Sequence, residues 1–223
     1  MNKVVSRETA LERVKSGQTL MVGDFLATGT PEYLIDGVME RDISALTMIS
    51  CTTGMPDKGC GNLIVGKRVK KVITSHIGTN PETGRQMMAG ELEVEFSPQG
   101  TLAERIRCGG AGLGGVLTPT GLGTTVAEGK EVVTVQGQEY LLETALHGEV
   151  ALIKAWKADE RGNLVYRHTS HNYNPLCAMA ADLVIAEVEE VVPVGGLLPD
   201  EIDTPGALVD MVVLAPKGGE KHE

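Results

Sequence analysis

Aromatic residues are scarce, 3 % of the 223 in the chain. A core built almost without them has to be filled by Val, Leu, Ile, Ala and Met, which dominate the 42 % apolar content. Basic residues are also in deficit. Twenty Lys and Arg face 30 Asp and Glu, a formal net charge of −10 with a pI of about 5.0. This excludes nucleic acid as the main partner, because phosphate binding needs a basic footprint. A small anionic ligand, which responds only to local groups, is not excluded. No apolar run is long enough to span a membrane. Met1-Asn2-Lys3-Val4-Val5-Ser6 lacks the apolar stretch of a signal peptide, so a cytoplasmic protein is expected. The four cysteines, Cys51, Cys60, Cys108 and Cys177, form no C-x-x-C pair, and no histidine cluster completes a zinc set. Idle thiols in a reducing compartment are therefore expected, with no metal site. There is no Walker lysine, no G-x-S-x-G nucleophile elbow and no acidic pair at a catalytic spacing.

Glycine, by contrast, is abundant at 28 residues, and most of it falls between short apolar runs, where turns between strands and helices use it. Residues 6–15 read as a helix capped by Ser6, with Ala10, Leu11 and Val14 on its apolar face and Gly17 ending it. Residues 19–22 are a short apolar strand. Thr30-Pro31 then opens a second helix, Thr30 as cap and Pro31 as its first residue. Strands follow at 46–49 and 69–74, and at 92–96, where apolar and acidic residues alternate and leave one face wet. A helix is expected at 101–106, a hairpin of 132–135 and 139–142 around Gly137, strands at 150–156, 164–166 and 183–188, and a helix at 174–181. Strands alternating with helices predict an α/β fold: an open, largely parallel sheet flanked by helices, with a small β-rich lobe near 110–145. One domain spanning 1–216 and a polar tail at 217–223 complete the expected organisation.

Three segments are candidates for chemistry. Gly23-Asp24-Phe25-Leu26-Ala27-Thr28-Gly29 joins a strand to a helix, a place where backbone amides favour an anion. The bland alternative is a structural turn. Arg107-Cys108-Gly109-Gly110-Ala111-Gly112-Leu113-Gly114-Gly115 is dense in glycine, as expected where backbones pass closely or a loop meets a subunit or a flat ligand. A Cβ at Gly112 or Gly114 is expected to clash or to need a positive φ. Ser97-Pro98-Gln99-Gly100-Thr101 lies at a strand end, where open α/β sheets bind ligands, and Gln99 carries an amide donor suited to a substrate carbonyl. Its alternative is a helix-capping turn. His76 is expected to be a satisfied structural histidine, and Lys67, Arg68, Lys70 and Lys71 a solvated face.

With these segments in place, the chain resembles the α subunits of family I (3-oxoacid type) CoA-transferases. The resemblance rests on Met21-Val22-Gly23 with Phe25 and Gly29-Thr30-Pro31, on Ser75-His76-Ile77-Gly78-Thr79-Asn80-Pro81, and on Pro98-Gln99-Gly100-Thr101-Leu102. It continues through the glycine loop, Thr118-Pro119-Thr120-Gly121, Ala155-Trp156-Lys157-Ala158-Asp159 and Asn172-Tyr173-Asn174-Pro175. The wording of Gly112-Leu113-Gly114-Gly115 is similar to bacterial acetoacetate/butyrate-type subunits.

The resemblance implies exchange of CoA between two carboxylic acids through a glutamate nucleophile, by ping-pong covalent catalysis. In the family that glutamate lies in a Ser-Glu-Asn-Gly motif of the β subunit; this chain has no such motif. The implied partner is therefore a CoA-transferase β subunit, in an α2β2 assembly. Coenzyme A is implied as a substrate, with no permanently bound cofactor. Residues Gly23, Asp24, Phe25, Leu26, Ala27, Thr28 and Gly29 are implied in CoA binding, and Gln99 faces the thioester. The chain departs from the family's usual Gly-Gly-Phe at Asp24, and from a frequent Asn at Cys51 and Thr52. Asp24 either repels the anionic CoA or holds the turn through backbone hydrogen bonds. The other readings of the same residues are a sugar-phosphate isomerase-like enzyme and a non-catalytic CoA- or nucleotide-binding module.

Overall fold

Runs of aliphatic and β-branched residues form the strands, and the computed structural model describes residues 2–216. In chain order the strands are β1 (Thr19–Val22), β2 (Leu46–Ser50), β3 (Val69–Thr74), β4 (Glu93–Phe96), β5 (Gly115–Thr118), β6 (Val132–Val135), β7 (Gln138–Thr144), β8 (Gly148–Asp159), β9 (Leu164–Val165), β10 (Ala181–Val192) and β11 (Met211–Leu214). The main sheet has the order β11-β10-β8-β1-β2-β3-β4 with every neighbour parallel, and β9 adds an antiparallel rung to β8. The helices are α1 (Arg7–Leu11), α2 (Glu32–Glu40), α3 (Gly61–Val65), α4 (Pro81–Met88), α5 (Gln99–Gly110) and α6 (Asn174–Met179).

Alternation along each strand divides the core into two layers. Leu20 and Val22, Val150 and Leu152, and Leu183 and Ile185 face the layer that α1, α2 and α3 cover through Leu11, Leu34, Ile35, Leu63 and Ile64. Met21, Ala151, Ile153 and Val184 face the opposite layer, filled by Leu102 and Ile106 of α5 and Cys177 and Ala178 of α6. Burial on both faces explains why these strands are continuous apolar runs. Only β4, at the sheet edge, alternates, and its Glu93 and Glu95 pair with Lys71 of β3 at 2.9 and 3.1 Å.

The small lobe is the antiparallel sheet β5-β7-β6. Gln136 and Gly137, both at positive φ (52° and 83°), make the two-residue turn between β6 and β7. Arg105 of α5 joins the lobe to the body. Its Nε donates to Thr144 O at 2.9 Å and its Nη1 to Glu95 at 3.0 Å, while Glu143 also takes Lys130 at 2.6 Å.

Several expectations need correction. Thr30 does not cap α2: its buried hydroxyl has no hydrogen-bond partner, Pro31 occupies the cap position, and the Leu34 amide donates instead to Glu187 of β10 at 3.1 Å. Arg107–Gly110 is no loop but the last turn of α5, and Gly115 already belongs to β5. The crowded glycines are Gly109, where a Cβ would lie 1.9 Å from Leu146 O, Gly110, packed on Met179, and Gly115, packed on Glu143 O. Gly114 has open space around it, and so does Gly112, although Gly112 does take the expected positive φ of 69°. His76 is exposed rather than enclosed, its ring lying over Gly78. Helices α3 and α4 and the edge strand β11 were not expected. The expected polar tail at 217–223 lies outside the described residues.

Candidate active site

Chain order reverses between β1 and β8: β2, β3 and β4 are added on one side of β1, and β8, β10 and β11 on the other. Open parallel sheets bind ligands at the carboxyl ends of the strands flanking such a point. Residues 23–29 leave β1 there, residues 51–60 leave β2, 75–80 leave β3, and 97–98 lead from β4 into α5 at Gln99.

The first of these loops is a tight hairpin. Phe25 and Thr28 exchange backbone hydrogen bonds of 3.0 and 2.9 Å, so that Leu26 and Ala27 form the turn at φ 56° and 90°. Left-handed backbone at two non-glycine residues costs on the order of 1 kcal/mol each, and it persists only where the surroundings dictate it. The surroundings are Asn172, Tyr173 and Asn174. Asn172 Nδ2 donates to Thr28 O at 2.9 Å, Asn174 Nδ2 donates to Gly29 O at 3.0 Å and Ser170 O at 2.9 Å, and Asn174 Oδ1 accepts from Lys154 N at 2.9 Å. Gly23 has to be glycine, because a Cβ there would stand 2.0 Å from Asn174 Oδ1. Tyr173, between the two asparagines, donates its hydroxyl to Gln99 O at 2.9 Å.

Three consecutive side chains thus fasten the loop after β1, the start of α5 and the middle of β8 together. The resemblance at the sequence level includes this tripeptide without giving it a role. Its only local signal is a pair of polar amides just before a proline that opens a helix.

Gln99 is the first residue of α5 and its side chain is exposed at this edge. Gly100 beside it leaves open space. The loop after β2 forms a second hairpin, with Met55 and Lys58 exchanging backbone hydrogen bonds of 3.2 Å. Thr79 Oγ1 donates to Gly54 O at 2.7 Å and Asn80 Nδ2 to Thr53 O at 3.0 Å, so the 75–80 segment braces this loop. Phe25, Met55 and Phe96 stand 38–43 % exposed at the same edge.

Asp24 is wholly buried. Its carboxylate accepts from Ser50 Oγ at 2.7 Å and Cys60 Sγ at 3.2 Å. Its partners are side chains of the neighbouring loop, and the expectation that it holds its own turn through backbone hydrogen bonds is corrected accordingly. Burial pushes its carboxyl up to about 6, against the opposing pull of those two hydrogen bonds. Burial likewise raises Glu187 to about 7, opposed first by Lys154, 3.5 Å away.

Between Phe25, Thr28, Thr169, His171 and Asn172 lies an open concavity of about 520 Å³. A second, of about 260 Å³, shares Thr28 and Thr169 with it and is lined by Lys154, Trp156, Arg167 and Glu189. The charges there are largely paired: Arg167 lies 3.4 Å and Lys154 3.9 Å from Glu189. The glycine-dense segment at 107–115 is not part of this site. It begins in the last turn of α5, roughly 12 Å from Gln99 at 1.5 Å per residue. Lys67, Arg68 and Lys71 pair with Glu91, Asp42, Glu93 and Glu95 toward the opposite edge of the sheet. Among the described residues no group of three or more His, Cys, Asp or Glu is placed to hold a metal ion, and no helix is long and apolar enough to cross a membrane.

Fold and site define a parallel α/β chain whose strand-end loops gather beside Gln99 at one exposed end of the sheet. The chain belongs to the coenzyme A transferase family, whose pattern matches residues 4–215. It is 50 % identical over 213 residues to the alpha chain of the acetate CoA-transferase of Escherichia coli, covering 96 % of this chain and 97 % of that one. It is 49 % identical over 215 residues to the alpha chain of the acetoacetyl-CoA:acetate/butyrate CoA transferase of Clostridium acetobutylicum, covering 96 % and 99 %. The crystal structure of an acyl-CoA transferase apoenzyme from Escherichia coli superposes with a TM-score of 0.86 at 23 % identity, over 96 % of this chain. This chain spans 47 % of that longer one. The chain is therefore a CoA-transferase chain of the α type, and the isomerase reading falls away.

Proposed function

We propose that this chain is the α half of a cytoplasmic hetero-oligomer, α2β2, that moves CoA between a short acyl-CoA and a short-chain carboxylic or 3-oxo acid of the acetate, acetoacetate and butyrate class. The nucleophile is a glutamate of the β subunit. Its carboxylate attacks the acyl-CoA carbonyl and the thiolate leaves. The thiolate then attacks the glutamyl carbonyl of the resulting anhydride, which releases the first acid and leaves a glutamyl-CoA thioester. The second acid reverses both steps. Gln99 donates its amide hydrogen to the carbonyl oxygen as negative charge develops there. The accessible part of the loop, residues 25–29, contacts CoA, which comes and goes as a substrate, with no cofactor held permanently; Gly23 and Asp24, expected among the contacts, are buried beneath it.

The observation that carries this reading is the fastening of the 23–29 hairpin and the start of α5 to the single segment 172–174, with the Gln99 side chain exposed between them and open space. The exposed Phe25, Met55 and Phe96 at that edge suit a surface that a partner chain covers.

Co-expression with the product of the neighbouring reading frame tests it. The complex, assayed with acetate, butyrate, acetoacetate and succinate as acceptors, should show ping-pong transfer, and the chain alone none. Gln99→Ala should lower turnover of the complex by about 10²–10³-fold while assembly is unaffected. Transfer by the chain alone would refute the half-site assignment. Turnover of Gln99→Ala within about threefold of wild type, too small for an oxyanion donor, would remove Gln99 from the mechanism.

A further inference from the structure

We propose that Asp24 is a positioning residue for the transfer reaction, coupling the hairpins at residues 25–28 and 55–58 into one rigid rim. Asp24 follows β1 and directly precedes the first hairpin. Both hydrogen-bond donors to its carboxylate come from the segment that carries the second: Ser50, the last residue of β2, at 2.7 Å, and Cys60, which opens α3, at 3.2 Å. Each carboxylate oxygen takes one of them, and the Cys60 thiol lies also 3.3 Å from Thr52 O within the same loop. Above this clasp the hairpins touch. A Cβ on Gly59 would stand 3.1 Å from Ala27 Cβ, so the second loop approaches the first as closely as a glycine allows. A carboxylate is the side chain that suits this place, because it accepts at both oxygens and has no donor to satisfy. Glycine or alanine there would leave the buried Ser50 hydroxyl without its acceptor and the Cys60 thiol with Thr52 O alone, and asparagine would turn an amide NH₂ toward one of the two donors. The first hairpin, strained at Leu26 and Ala27, is thus held by Asn172 and Asn174 on one side and through Asp24 on the other.

The effect on acyl-CoA rests on the function proposed above; the coupling of the hairpins does not. The test uses the complex with its partner chain and the variant Asp24→Asn. Hydrogen exchange is followed at the Thr28 and Lys58 amides, which donate to Phe25 O at 2.9 Å and Met55 O at 3.2 Å. Both amides should exchange about tenfold faster in the variant, as a shared local opening predicts. The KM for acyl-CoA should rise about tenfold with kcat within about threefold, the pattern of lost uniform binding. Cys60→Ala should move KM in the same direction, and Cys60→Ser, which restores a donor, should bring it back toward wild type. If Asp24→Asn does not fold, Ser50→Ala and Cys60→Ala pose the same question from the donor side. Faster exchange in one hairpin only or in neither, or a KM that stays within about twofold, would overturn the proposal. A wild-type complex that transfers no CoA would refute the function but leave the coupling to be decided by exchange.

Discussion

Asp24 and Glu187 are carboxylates in places that favour their neutral form, and this has a measurable sign. Burial raises Asp24 from its usual 3.8 to about 6. A carboxyl with a raised folded-state pKa contributes stability that is complete below the unfolded value and is lost as pH rises through the folded one. The loss therefore runs between about pH 4 and 6 and amounts to roughly 3 kcal/mol at 1.36 kcal/mol per unit. Asp24→Asn carries no such dependence. Its stability relative to wild type should improve by about 1 kcal/mol between pH 5 and 7.5, as measured by urea unfolding at each pH. A difference that stays constant, or shifts further in favour of wild type as pH rises, would contradict the burial assigned to Asp24. At this scale the sequence was legible only in part. Asp24 stood out because it breaks a glycine pattern, yet its partners Ser50 and Cys60 lie 26 and 36 positions away, and no local signal joins them to it. The Asn172-Tyr173-Asn174 segment was invisible as a device for the same reason: its partners are backbone groups, which every residue has.

Among the elements, strands were read best. The limits expected for β1 and β3 are those observed: β1 is an apolar run ended by Gly23, and β3 keeps the buried Val69, Val72 and Ile73 despite its two lysines. Helix α3 is only five residues long and carries no side-chain cap, so periodicity had nothing to register. Helix α4 buries Thr83 and Gln86 instead of an apolar stripe, with Gln86 Nε2 donating to Ile64 O at 2.8 Å. The glycine-dense segment misled because glycine count reports close approach without saying to what. Here the answer is the protein's own backbone, at Gly109, Gly110 and Gly115. Gly109→Ala places a methyl 1.9 Å from Leu146 O and should destabilise the fold by about 2 kcal/mol or more, since backbone has to shift. Gly114→Ala meets open space and should stay within about 1 kcal/mol. Thermal unfolding of the two variants separates them, and equal losses would contradict the packing at α5.

For the molecule as a whole, Arg105 sets how the lobe sits on the sheet. Its side chain is 6 % exposed and lies 3.7 Å from Glu143, which is 1 % exposed. Removing one member of a buried charge cluster costs about 3–5 kcal/mol, because the remaining charges stay buried with fewer partners. Arg105→Ala should therefore lose about that much stability in urea, and proteolysis within residues 115–144 should quicken. Arg107→Ala, at an exposed pair with Glu104, should change stability by no more than about 0.5 kcal/mol. Similar losses in the two variants would show that the lobe is held by its strands and not by this cluster. The lobe itself was legible as a hairpin around Gly137. Its anchor was not, because Arg105 sits in a helix among other charged residues that face solvent.

The ties at Asn172 and Asn174 also set an order of events during synthesis. The hairpin they hold emerges early, but its anchors follow 144 and 145 positions later. At translation rates of about 5–20 residues per second, that interval is roughly 7–30 s. For most of it β1 has only β2 to pair with, since β8 (Gly148–Asp159) is made only near its end, and Leu26 and Ala27 lack Asn172 and Asn174 to hold them in a left-handed turn. The nascent chain therefore carries its sheet half-built and its binding edge slack. The edge takes its working shape only when the seam between β1 and β8 closes, so a chain truncated before residue 172 is truncated in its site as well as in its length.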